Sequence, residues 1–306
     1  MQTTVLGKTG LQVSRLGMGL AKRGFNLPGQ GGELAREILN AALDHGINFL
    51  DTAAGYGLSE EQIGAAISHR RDEFVLATKV GHTVADGVED WTAAVIAQSI
   101  ECSLKRMKTD HADLVLLHSC SVEVLERGEA IEALQKAREA GKTRFIGYSG
   151  DNENAEWAVN AGVFDTLQTS FNLVDQKARA TLFPKARSQG MGLIIKRPIA
   201  NAVWGASQDP RPYELFPDYT EEYFRRAGVM QQEGPLPGEP KDRMLTALGF
   251  VMAHEEVDVA IVGTQSRQHL ESNVEMVNSR LPLAPETVEA LHERYNRHAD
   301  TWQQRG

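Results

Sequence analysis

The chain has 306 residues, 42% of them hydrophobic, and its 32 Lys and Arg against 41 Asp and Glu give a net charge of −9. This length suits one large α/β barrel, which needs ~250 residues, or two ordinary domains. The acidic balance without a basic cluster argues against a nucleic-acid partner, and no apolar stretch of ~18 residues predicts a membrane span.

The N-terminal residues and the two cysteines predict a cytoplasmic protein. Residues 1–5 lack the basic and apolar regions of a signal peptide. Cys102 and Cys120 favour reduced thiols over a disulfide in a chain this long. A nucleophilic Cys120 would need a partner that the sequence does not identify, so we interpret it as a buried thiol.

The first predicted elements are a hairpin and a strand. Residues 3–6 and 11–14 flank a turn in a strand–turn–strand pattern. Residues 15–20 then form a strand ending in Gly19 and Leu20, where a small residue lets a ligand approach the backbone. The Gly-x-Gly of this strand is weak as a dinucleotide motif, because no helix follows immediately.

Short runs of Val, Ile and Leu then alternate with amphipathic segments. Strands are predicted at 47–51, 73–79, 112–118, 143–149, 165–169, 191–196 and 258–262, and helices at 33–45, 59–69, 91–107, 124–140, 153–161, 177–189, 241–254 and 268–278. Ser59 with Gln62 is a capping-box pattern at one helix start. With the strand near Gly17, eight strand–helix units predict an α/β fold, a closed (β/α)8 TIM barrel. No linker divides the chain, so residues 1–306 are interpreted as one domain.

Two long loops interrupt this alternation, at residues 81–90 and 201–240, and both are expected at the C-terminal face of the barrel. Aromatic residues in the second loop favour an ordered lid or a substrate pocket over disorder. Trp91, Trp204 and Tyr213 are the predicted pocket walls, and they suit a sugar face or an aryl aldehyde equally. A last helix is predicted at about 285–297, and no pair of histidines has the spacing of a metal site.

Polar side chains end three successive predicted strands. Asp51 ends the strand at 47–51, with Tyr56 in the loop that follows it, and Lys79 and His118 end the next two strands. Because the carboxyl ends of parallel strands meet at one end of a barrel, we expect these four side chains to converge on one mouth.

The region around Asp51 and Tyr56 resembles the signature of the aldo-keto reductase family, and it reads Gly46-Ile-Asn-Phe-Leu-Asp51-Thr-Ala-Ala-Gly-Tyr56-Gly-Leu-Ser59-Glu-Glu-Gln62-Ile-Gly64. The resemblance extends over roughly residues 6–277. It implies a barrel whose bottom is closed by the N-terminal hairpin, a nicotinamide coenzyme, and a catalytic tetrad of Asp51, Tyr56, Lys79 and His118.

These residues suit the reduction of a carbonyl group. A phenol with a pKa of ~10 is a weak proton donor, and an ammonium such as that of Lys79 would lower the pKa of Tyr56, the general acid. Asp51 would hold Lys79 charged, and His118 would orient the carbonyl oxygen. The predicted protein is an NAD(P)H-dependent oxidoreductase that reduces small-molecule aldehydes or ketones to alcohols.

The resemblance also implies coenzyme contacts at later strand ends. Ser149 and Gln168 would hold the carboxamide, while Gly150 stands where the family usually has asparagine. Lys196 stands where many members have a tyrosine that stacks on the nicotinamide, and Phe171 is a nearby substitute. The implied contacts at strand ends are Gly19, Leu20, Ser149, Gly150, Gln168, Phe171, Lys196, Arg197 and Pro198.

The segment after the last strand resembles the family's adenosine-phosphate site. A helix N-terminus suits a phosphate, and Thr264, Ser266 and Arg267 would serve the 2′-phosphate. NADPH is therefore favoured, with NADH as the alternative. The implied contacts of this segment are Gly263, Thr264, Ser266, Arg267, His269 and Asn273.

Each tetrad residue also has a purely structural interpretation, for example Asp51 as a turn cap or Lys79 as an ordinary strand-end lysine. The occurrence of all four residues together, in this order and at the ends of successive strands, favours the catalytic interpretation. Two other functions stay open: a Schiff-base lyase, which would need Lys79 as a neutral amine, and a regulatory barrel that senses nicotinamide without turnover.

Overall fold

The computed structural model describes residues 1–21, 31–82, 89–207 and 217–305. Eight parallel strands close into a barrel, in which each strand pairs with the next along the chain and the last pairs with the first. They are β3 (Leu16–Gly19), β4 (Phe49–Asp51), β5 (Val75–Val80), β6 (Ala112–His118), β7 (Thr143–Ser149), β8 (Thr166–Ser170), β9 (Gly192–Lys196) and β10 (Val259–Val262). Their runs are apolar because one face meets the barrel interior and the other meets the helices. The predicted (β/α)8 barrel is confirmed.

The predicted helices surround the barrel, and two of them differ in extent. The helices are α1 (Gly31–Asp44), α2 (Ser59–Ala66), α3 (Ala93–Met107), α4 (Val122–Arg127), α5 (Glu129–Glu139), α6 (Asn152–Ala161), α7 (Lys177–Thr181), α8 (Phe183–Ser188), α9 (Pro217–Gln231), α10 (Arg243–Met252), α11 (Arg267–Glu275) and α12 (Pro285–Asn296). The helix expected at 124–140 is split at Gly128, whose φ of +76° ends α4. The helix expected at 177–189 is split at Leu182, because Pro184 starts a new helix there.

The N-terminal hairpin closes the bottom of the barrel. Strands β1 (Thr3–Val5) and β2 (Gln12–Ser14) pair antiparallel. Leu6, beside this hairpin, is completely buried in the cluster that fills the barrel interior. A Cβ on Gly192, the first residue of β9, would lie 2.7 Å from the Leu6 side chain. The hairpin therefore covers the amino ends of the strands and leaves the carboxyl ends free.

The segment at 201–240, predicted as a loop, contains the helix α9. Tyr219 and Tyr223 stand four residues apart on one face of it, with ring centroids 5.8 Å apart, and Tyr223 is completely buried. Pro217 begins the helix, at a position where a missing N–H has no helical partner to lose. The prolines of this segment led to its prediction as a loop, although Pro217 marks the start of a helix.

The capping box expected at Ser59 is wrong, although α2 does begin at that residue. The Ser59 hydroxyl lies 2.8 Å from the hydroxyl of Thr52 and bonds no backbone N–H of α2. The next residue, Glu60, is buried and accepts hydrogen bonds from Thr78 and Arg106. Through these hydrogen bonds, Ser59 and Glu60 connect α2 to β4, β5 and α3.

Helix α12 is tied to the barrel through a buried pair of histidines. His292 Nδ1 lies 2.7 Å from Gln176 Oε1, and its Nε2 lies 3.2 Å from Nε2 of His254. Phe250 packs edge-on against both imidazoles. Burial, with smaller contributions from Arg179 and His254, lowers the pKa of His292 to about 3, so this imidazole is neutral in the folded protein.

The neutral His292 predicts a stability that falls in acid. The unfolded chain takes up a proton at this residue below pH ~6.5, whereas the folded chain resists protonation down to about pH 3. Stability is therefore lost as the pH falls from ~6.5 toward 3, by up to ~1.4 kcal/mol per pH unit. Urea titrations between about pH 7 and 5 should show wild type losing free energy of unfolding relative to His292→Gln. A difference that does not change with pH would contradict this.

Candidate active site at the barrel mouth

A layer of polar side chains lines the inside of the barrel at the carboxyl ends of the strands. The apolar cluster below it includes Phe49, Ala77, Leu116 and Ile194. Because side chains along a strand alternate between its two faces, the residues two positions further on also point inward. They are Asp51, Lys79, His118 and Lys196, and Ser149 and Gln168 complete the layer on β7 and β8.

The same layer is open on the side of β10 and β3. Gly19 ends β3 and Gly263 follows β10, so no side chain enters the layer from these two adjacent strands. A Cβ on Gly19 would have the Gly263 nitrogen, 3.8 Å away, as its nearest neighbour. This opening gives a ligand access to the backbone beside the polar layer.

Lys79 and Asp51 form a buried ion pair at the centre of the layer. Lys79 Nζ donates to Asp51 Oδ2 at 2.7 Å and to the Thr52 carbonyl at 2.8 Å. Burial opposes the charge of Lys79, which is 1% exposed, but the Asp51 carboxylate and Tyr56 outweigh burial and raise the pKa of Lys79. This lysine is therefore an ammonium ion at neutral pH.

Tyr56 and His118 lie beside this ion pair. The Lys79 Nζ lies 4.9 Å from the centroid of the Tyr56 ring, and the His118 imidazole meets that ring edge-on with centroids 5.6 Å apart. Burial, then the charges of Lys79 and Lys196, lower the pKa of His118 to about 2. The structure thus brings the four predicted residues together, with a neutral imidazole next to a phenol and an ammonium.

A chain of hydrogen bonds continues from Asp51 across the barrel. Asp51 Oδ1 accepts from Gln168 Nε2 at 2.7 Å, and Gln168 Oε1 accepts from Ser149 Oγ at 2.9 Å. Strands β4 and β8 are separated by three strands on either side, so this link spans the diameter of the barrel. One carboxylate therefore joins Lys79 to the two residues that the resemblance assigns to a carboxamide.

Lys196 is paired with a carboxylate that the sequence did not single out. Its Nζ lies 2.7 Å from Oδ2 of Asp151, two residues beyond β7. Asp151 Oδ1 also accepts from the Ser170 nitrogen at 2.7 Å and the Thr169 hydroxyl at 2.9 Å. Burial raises the pKa of Asp151, and Lys196 and Arg197 reverse that effect, so the net shift is downward. For Lys196, burial lowers the pKa more than Asp151 raises it, so the net shift is downward.

The tail beyond α12 completes this cluster. Gln304 Nε2 donates to Asp151 Oδ1 at 3.0 Å and to the Ser170 carbonyl at 2.9 Å. Arg226 of α9 donates to the carbonyl of Gln303, at 2.6 Å. The side chain of Gln304 is buried, whereas that of Gln303 is exposed. The tail therefore connects the ends of β7 and β8 to α9.

Two further residues at the mouth escaped the sequence analysis. His82 lies three residues beyond Lys79, with Nδ1 2.9 Å from Asp90 Oδ2 and Nε2 3.1 Å from the His118 carbonyl. Tyr219 of α9 stacks on the guanidinium of Arg197, 4.0 Å from its ring centroid. Because Lys79 was predicted to end a strand, the sequence could have indicated that His82, three residues further on, also lies at the mouth. Tyr219 belongs to the 201–240 segment that was expected at the C-terminal face, but it was not singled out, because the helix that carries it was not predicted.

The predicted pocket walls have different surroundings. Trp91 packs edge-on against His82, with ring centroids 4.6 Å apart. Trp204 is buried and donates its indole N–H to Glu239 Oε1 at 2.8 Å, a contact outside the polar layer. Tyr213 lies outside the described residues.

The structure contradicts the expectation that Phe171 stacks on a nicotinamide. Its ring has no exposed surface, and it packs against Phe183, Phe250 and His254. These neighbours lie between the barrel and its helices, so the ring faces the outer core. The alternation of β8 turns Gln168 inward and carries Phe171 to the other face.

The segment after β10 forms the start of α11. Thr264 Oγ1 accepts from the Ser266 nitrogen at 3.1 Å, and Ser266 Oγ caps the helix by accepting from the His269 nitrogen at 3.3 Å. The exposed Arg267 pairs with Glu271 at 2.8 Å. Asn273 is buried further along α11. A polar helix N-terminus with one exposed guanidinium is thus present where the phosphate site was predicted.

Within the described ranges, no three or more His, Cys, Asp or Glu side chains are grouped so that they would hold a metal ion. Over the same residues, no helix is long and apolar enough to cross a membrane.

Comparison with known proteins gives a consistent result. The family model described as "Aldo/keto reductase family" matches residues 15–296. L-galactose dehydrogenase of Arabidopsis thaliana is 29% identical, over 90% of this chain and 88% of its own. The NADH-specific methylglyoxal reductase of Escherichia coli is 24% identical, over 94% and 97%. The holo form of the aldo-keto reductase AKR11C1 from Bacillus halodurans superposes with a TM-score of 0.80 at 28% identity, covering 96% of each chain.

The family match covers most of the chain and includes every strand of the barrel. The chain belongs to the aldo-keto reductase family. Its relatives are oxidoreductases. We therefore assign this protein to the activity class of the family, which is the reduction of carbonyl compounds with nicotinamide coenzymes.

The Gln304 contacts predict that this side chain stabilises the mouth. Gln304→Leu should remove the hydrogen bond to Asp151 and leave a buried carboxylate with one donor fewer, at a cost of about 1–3 kcal/mol. Gln303→Leu is the matched control, because only the main-chain carbonyl of that residue is used. Thermal unfolding of both variants should show a clear loss for Gln304→Leu alone. Equal melting temperatures would contradict a structural role for the Gln304 side chain.

Proposed function

We propose that this protein reduces an aldehyde or ketone to an alcohol with NADPH, using Tyr56 as the proton donor. The observation that carries the proposal is the arrangement at the mouth: a half-buried phenol, a buried ammonium beside its ring, and a neutral imidazole at its edge. A carbonyl group between Tyr56 and His118 would face both hydrogen-bond donors.

The residues present fit a nicotinamide coenzyme. Ser149 and Gln168 offer a hydroxyl and an amide in the polar layer, which match the hydrogen-bonding groups of a carboxamide. The glycine pair at Gly19 and Gly263 leaves that layer open on one side. The capped start of α11 offers N–H groups and Arg267 to a phosphate. When bound, the nicotinamide supplies the hydride that the carbonyl carbon receives.

Each side chain then has a defined part. Tyr56 passes its hydroxyl proton to the carbonyl oxygen as that oxygen gains negative charge, and the Lys79 ammonium stabilises the phenolate that remains. Asp51 holds Lys79 in place. His118, which stays neutral because its pKa is lowered to about 2, directs a ring N–H at the same oxygen without adding a charge.

The alternative functions have less support. A Schiff-base lyase would need Lys79 as a neutral nucleophile, whereas its buried pairing with Asp51 raises its pKa and keeps it charged. A regulatory barrel that only senses nicotinamide would need no proton donor beside a buried ammonium, and the test below decides between sensing and turnover.

Replacing the phenol tests the proposed reaction. Tyr56→Phe should lower kcat for NADPH oxidation with an aldehyde panel by ~100-fold or more, because the proton donor is lost. NADPH affinity, measured by fluorescence titration, should stay within about threefold of wild type. Tyr295→Phe, which removes a hydroxyl from α12, is the matched control. Wild-type binding of NADPH without turnover of any carbonyl would move the assignment to a sensor, and retained activity in Tyr56→Phe would reject the role of Tyr56.

The preference for NADPH rests on Arg267. Its guanidinium is exposed beside the capped start of α11, where the 2′-phosphate of NADPH is expected. It also pairs with Glu271 and lies 4.0 Å from Glu37, so a phosphate has to compete with two carboxylates. The preference over NADH is therefore modest.

Two variants test this preference. Arg267→Ala should weaken NADPH binding by about tenfold and leave NADH binding unchanged, because only NADPH carries the phosphate. Glu271→Gln should strengthen NADPH binding, because it frees the guanidinium. Dissociation constants for both coenzymes should be measured by fluorescence titration. Equal losses for NADPH and NADH in Arg267→Ala would reject the phosphate contact.

The substrate pocket is proposed to lie above the polar layer, with Trp91 and Tyr219 as walls. Both belong to segments that follow strand carboxyl ends, and both contact mouth residues, His82 and Arg197 respectively. We further propose a reducing, cytoplasmic compartment, which the free thiols of Cys102 and Cys120 support.

A further inference from the structure

Tyr56, the proposed proton donor, stands on a segment that has little packing of its own. Residues 54–58 are exposed or half-buried, and a glycine flanks Tyr56 on each side, at Gly55 and Gly57. Glycine allows the backbone more conformations than any other residue. The reach of the phenol toward a carbonyl oxygen therefore depends on contacts at the two ends of this segment.

The two ends are joined by a pair of buried hydroxyls. Thr52 precedes the segment and Ser59 follows it, and their side-chain oxygens lie 2.8 Å apart. Thr52 has no exposed surface and Ser59 is 1% exposed, so this hydrogen bond is shielded from solvent and strengthened by the low local dielectric. Ser59 begins α2 without capping it, which leaves its hydroxyl available for this contact. The hydroxyl pair thus closes the segment into a loop.

Both residues of the pair also bind members of the tetrad through their backbones. The Ser59 nitrogen donates to the Tyr56 carbonyl at 3.0 Å. The Thr52 carbonyl accepts from Lys79 Nζ at 2.8 Å. The nitrogen of Tyr56 donates to the Ala53 carbonyl at 3.0 Å, so both backbone hydrogen bonds of the tyrosine lie within the same loop. A continuous path therefore runs from the residue that carries the phenol, through the two hydroxyls, to the ammonium.

The Ser59 end of the loop is also held to the neighbouring strand by the next residue of α2. Glu60 accepts from the Thr78 hydroxyl at 2.6 Å and from Arg106 of α3 at 3.2 Å. Thr78 directly precedes Lys79 on β5, so the start of α2 is tied to the strand that carries the ammonium. Because this end is bound to β5 and the other end follows β4, the hydroxyl pair holds the loop against two strands of the barrel.

We propose that the hydroxyl pair of Thr52 and Ser59 positions Tyr56 for proton transfer, which makes both of them positioning residues for the reaction. The inference rests on the proposed function, since it needs Tyr56 as the acid. A displacement of about 1 Å at a reacting group can cost ~100-fold in rate, and loss of the pair releases one end of a loop in which glycines flank the phenol. Coenzyme binding is unaffected, because neither side chain belongs to the polar layer.

Two substitutions of Thr52 separate its hydroxyl from the packing of its side chain. Thr52→Val keeps the shape and removes the hydroxyl, and it should lower kcat for NADPH oxidation with an aldehyde by about tenfold while KM stays within about threefold. Thr52→Ser keeps the hydroxyl and removes a methyl group, and it should recover kcat to within about threefold of wild type. Thr143→Val, which removes the hydrogen bond of a buried hydroxyl at the amino end of β7, is the matched control and should leave kcat unchanged.

The solvent isotope effect distinguishes positioning from a loss of folded protein. If Thr52→Val slows proton transfer, that step limits turnover more strongly, so the ratio of kcat in water to kcat in D2O should rise above the wild-type ratio. Partial unfolding would lower kcat without changing this ratio. Thr52→Val with Ser59→Ala removes both hydroxyls and leaves neither unpaired, so this variant should be nearly as stable as wild type and show the same rise.

The Tyr56→Phe background separates the inference from the proposed function. No phenol remains there to be positioned, so adding Thr52→Val should reduce the residual turnover by no more than about twofold. A further loss of about tenfold in that background overturns the inference and leaves Tyr56 as the acid. An unchanged kcat in Thr52→Val overturns it as well, as does a kcat in Thr52→Ser as low as that of Thr52→Val. Absence of carbonyl turnover in wild type rejects the proposed function and the inference together.

Discussion

The buried ion pair between Lys79 and Asp51 is the interaction on which the mouth depends. An ammonium that is 1% exposed would be strongly destabilised without a carboxylate at hydrogen-bonding distance. The pair fixes the ends of β4 and β5 relative to each other, and it brings a positive charge to the ring of Tyr56. The same charge helps to hold His118 neutral. One contact therefore keeps Lys79 charged beside Tyr56, the proposed acid, and it adds to burial in keeping His118 neutral.

Asp51 also joins the two halves of the barrel. One of its oxygens serves Lys79 on the adjacent strand, and the other accepts from Gln168 on the opposite side. A ligand carboxamide that takes up the Gln168 amide would have to share it with Asp51 or displace it. In the proposed function, coenzyme binding and the proton donor Tyr56 would be connected through this single carboxylate. The three side chains of the connection, Asp51, Lys79 and Gln168, all stand on barrel strands.

The sequence predicted the parts of this protein that follow strict periodicity. All eight barrel strands were predicted because both of their faces are buried and their runs are apolar. The strand-end residues Asp51, Lys79 and His118 were found because parallel strands put their carboxyl ends together. Helix α9 was missed because the prolines of residues 201–240 resemble those of a loop, although its aromatic pair at Tyr219 and Tyr223 follows helical spacing.

Other errors came from contacts that are remote in sequence. The Ser59 hydroxyl was expected to cap a helix, yet Thr52 lies close enough to bond it. Phe171 was expected at the mouth, but its position on the strand turns its ring toward the outer core. The partners of Asp151 could not be inferred at all, because Gln304 is 153 positions away along the chain. Local patterns carry no information about such pairings.

The position of Gln304 also has a consequence for how the protein is made. Ribosomal synthesis runs from the amino end, so Asp151 and the strand ends around it emerge well before the tail that bonds them. Until then the Asp151 carboxylate lacks the Gln304 amide, and α9 lacks the tail carbonyl that Arg226 binds. Strand β10, which closes the barrel, ends at Val262, whereas the mouth reaches its final form only after Gln304 has been synthesised. A nascent barrel would therefore be structured before it is competent.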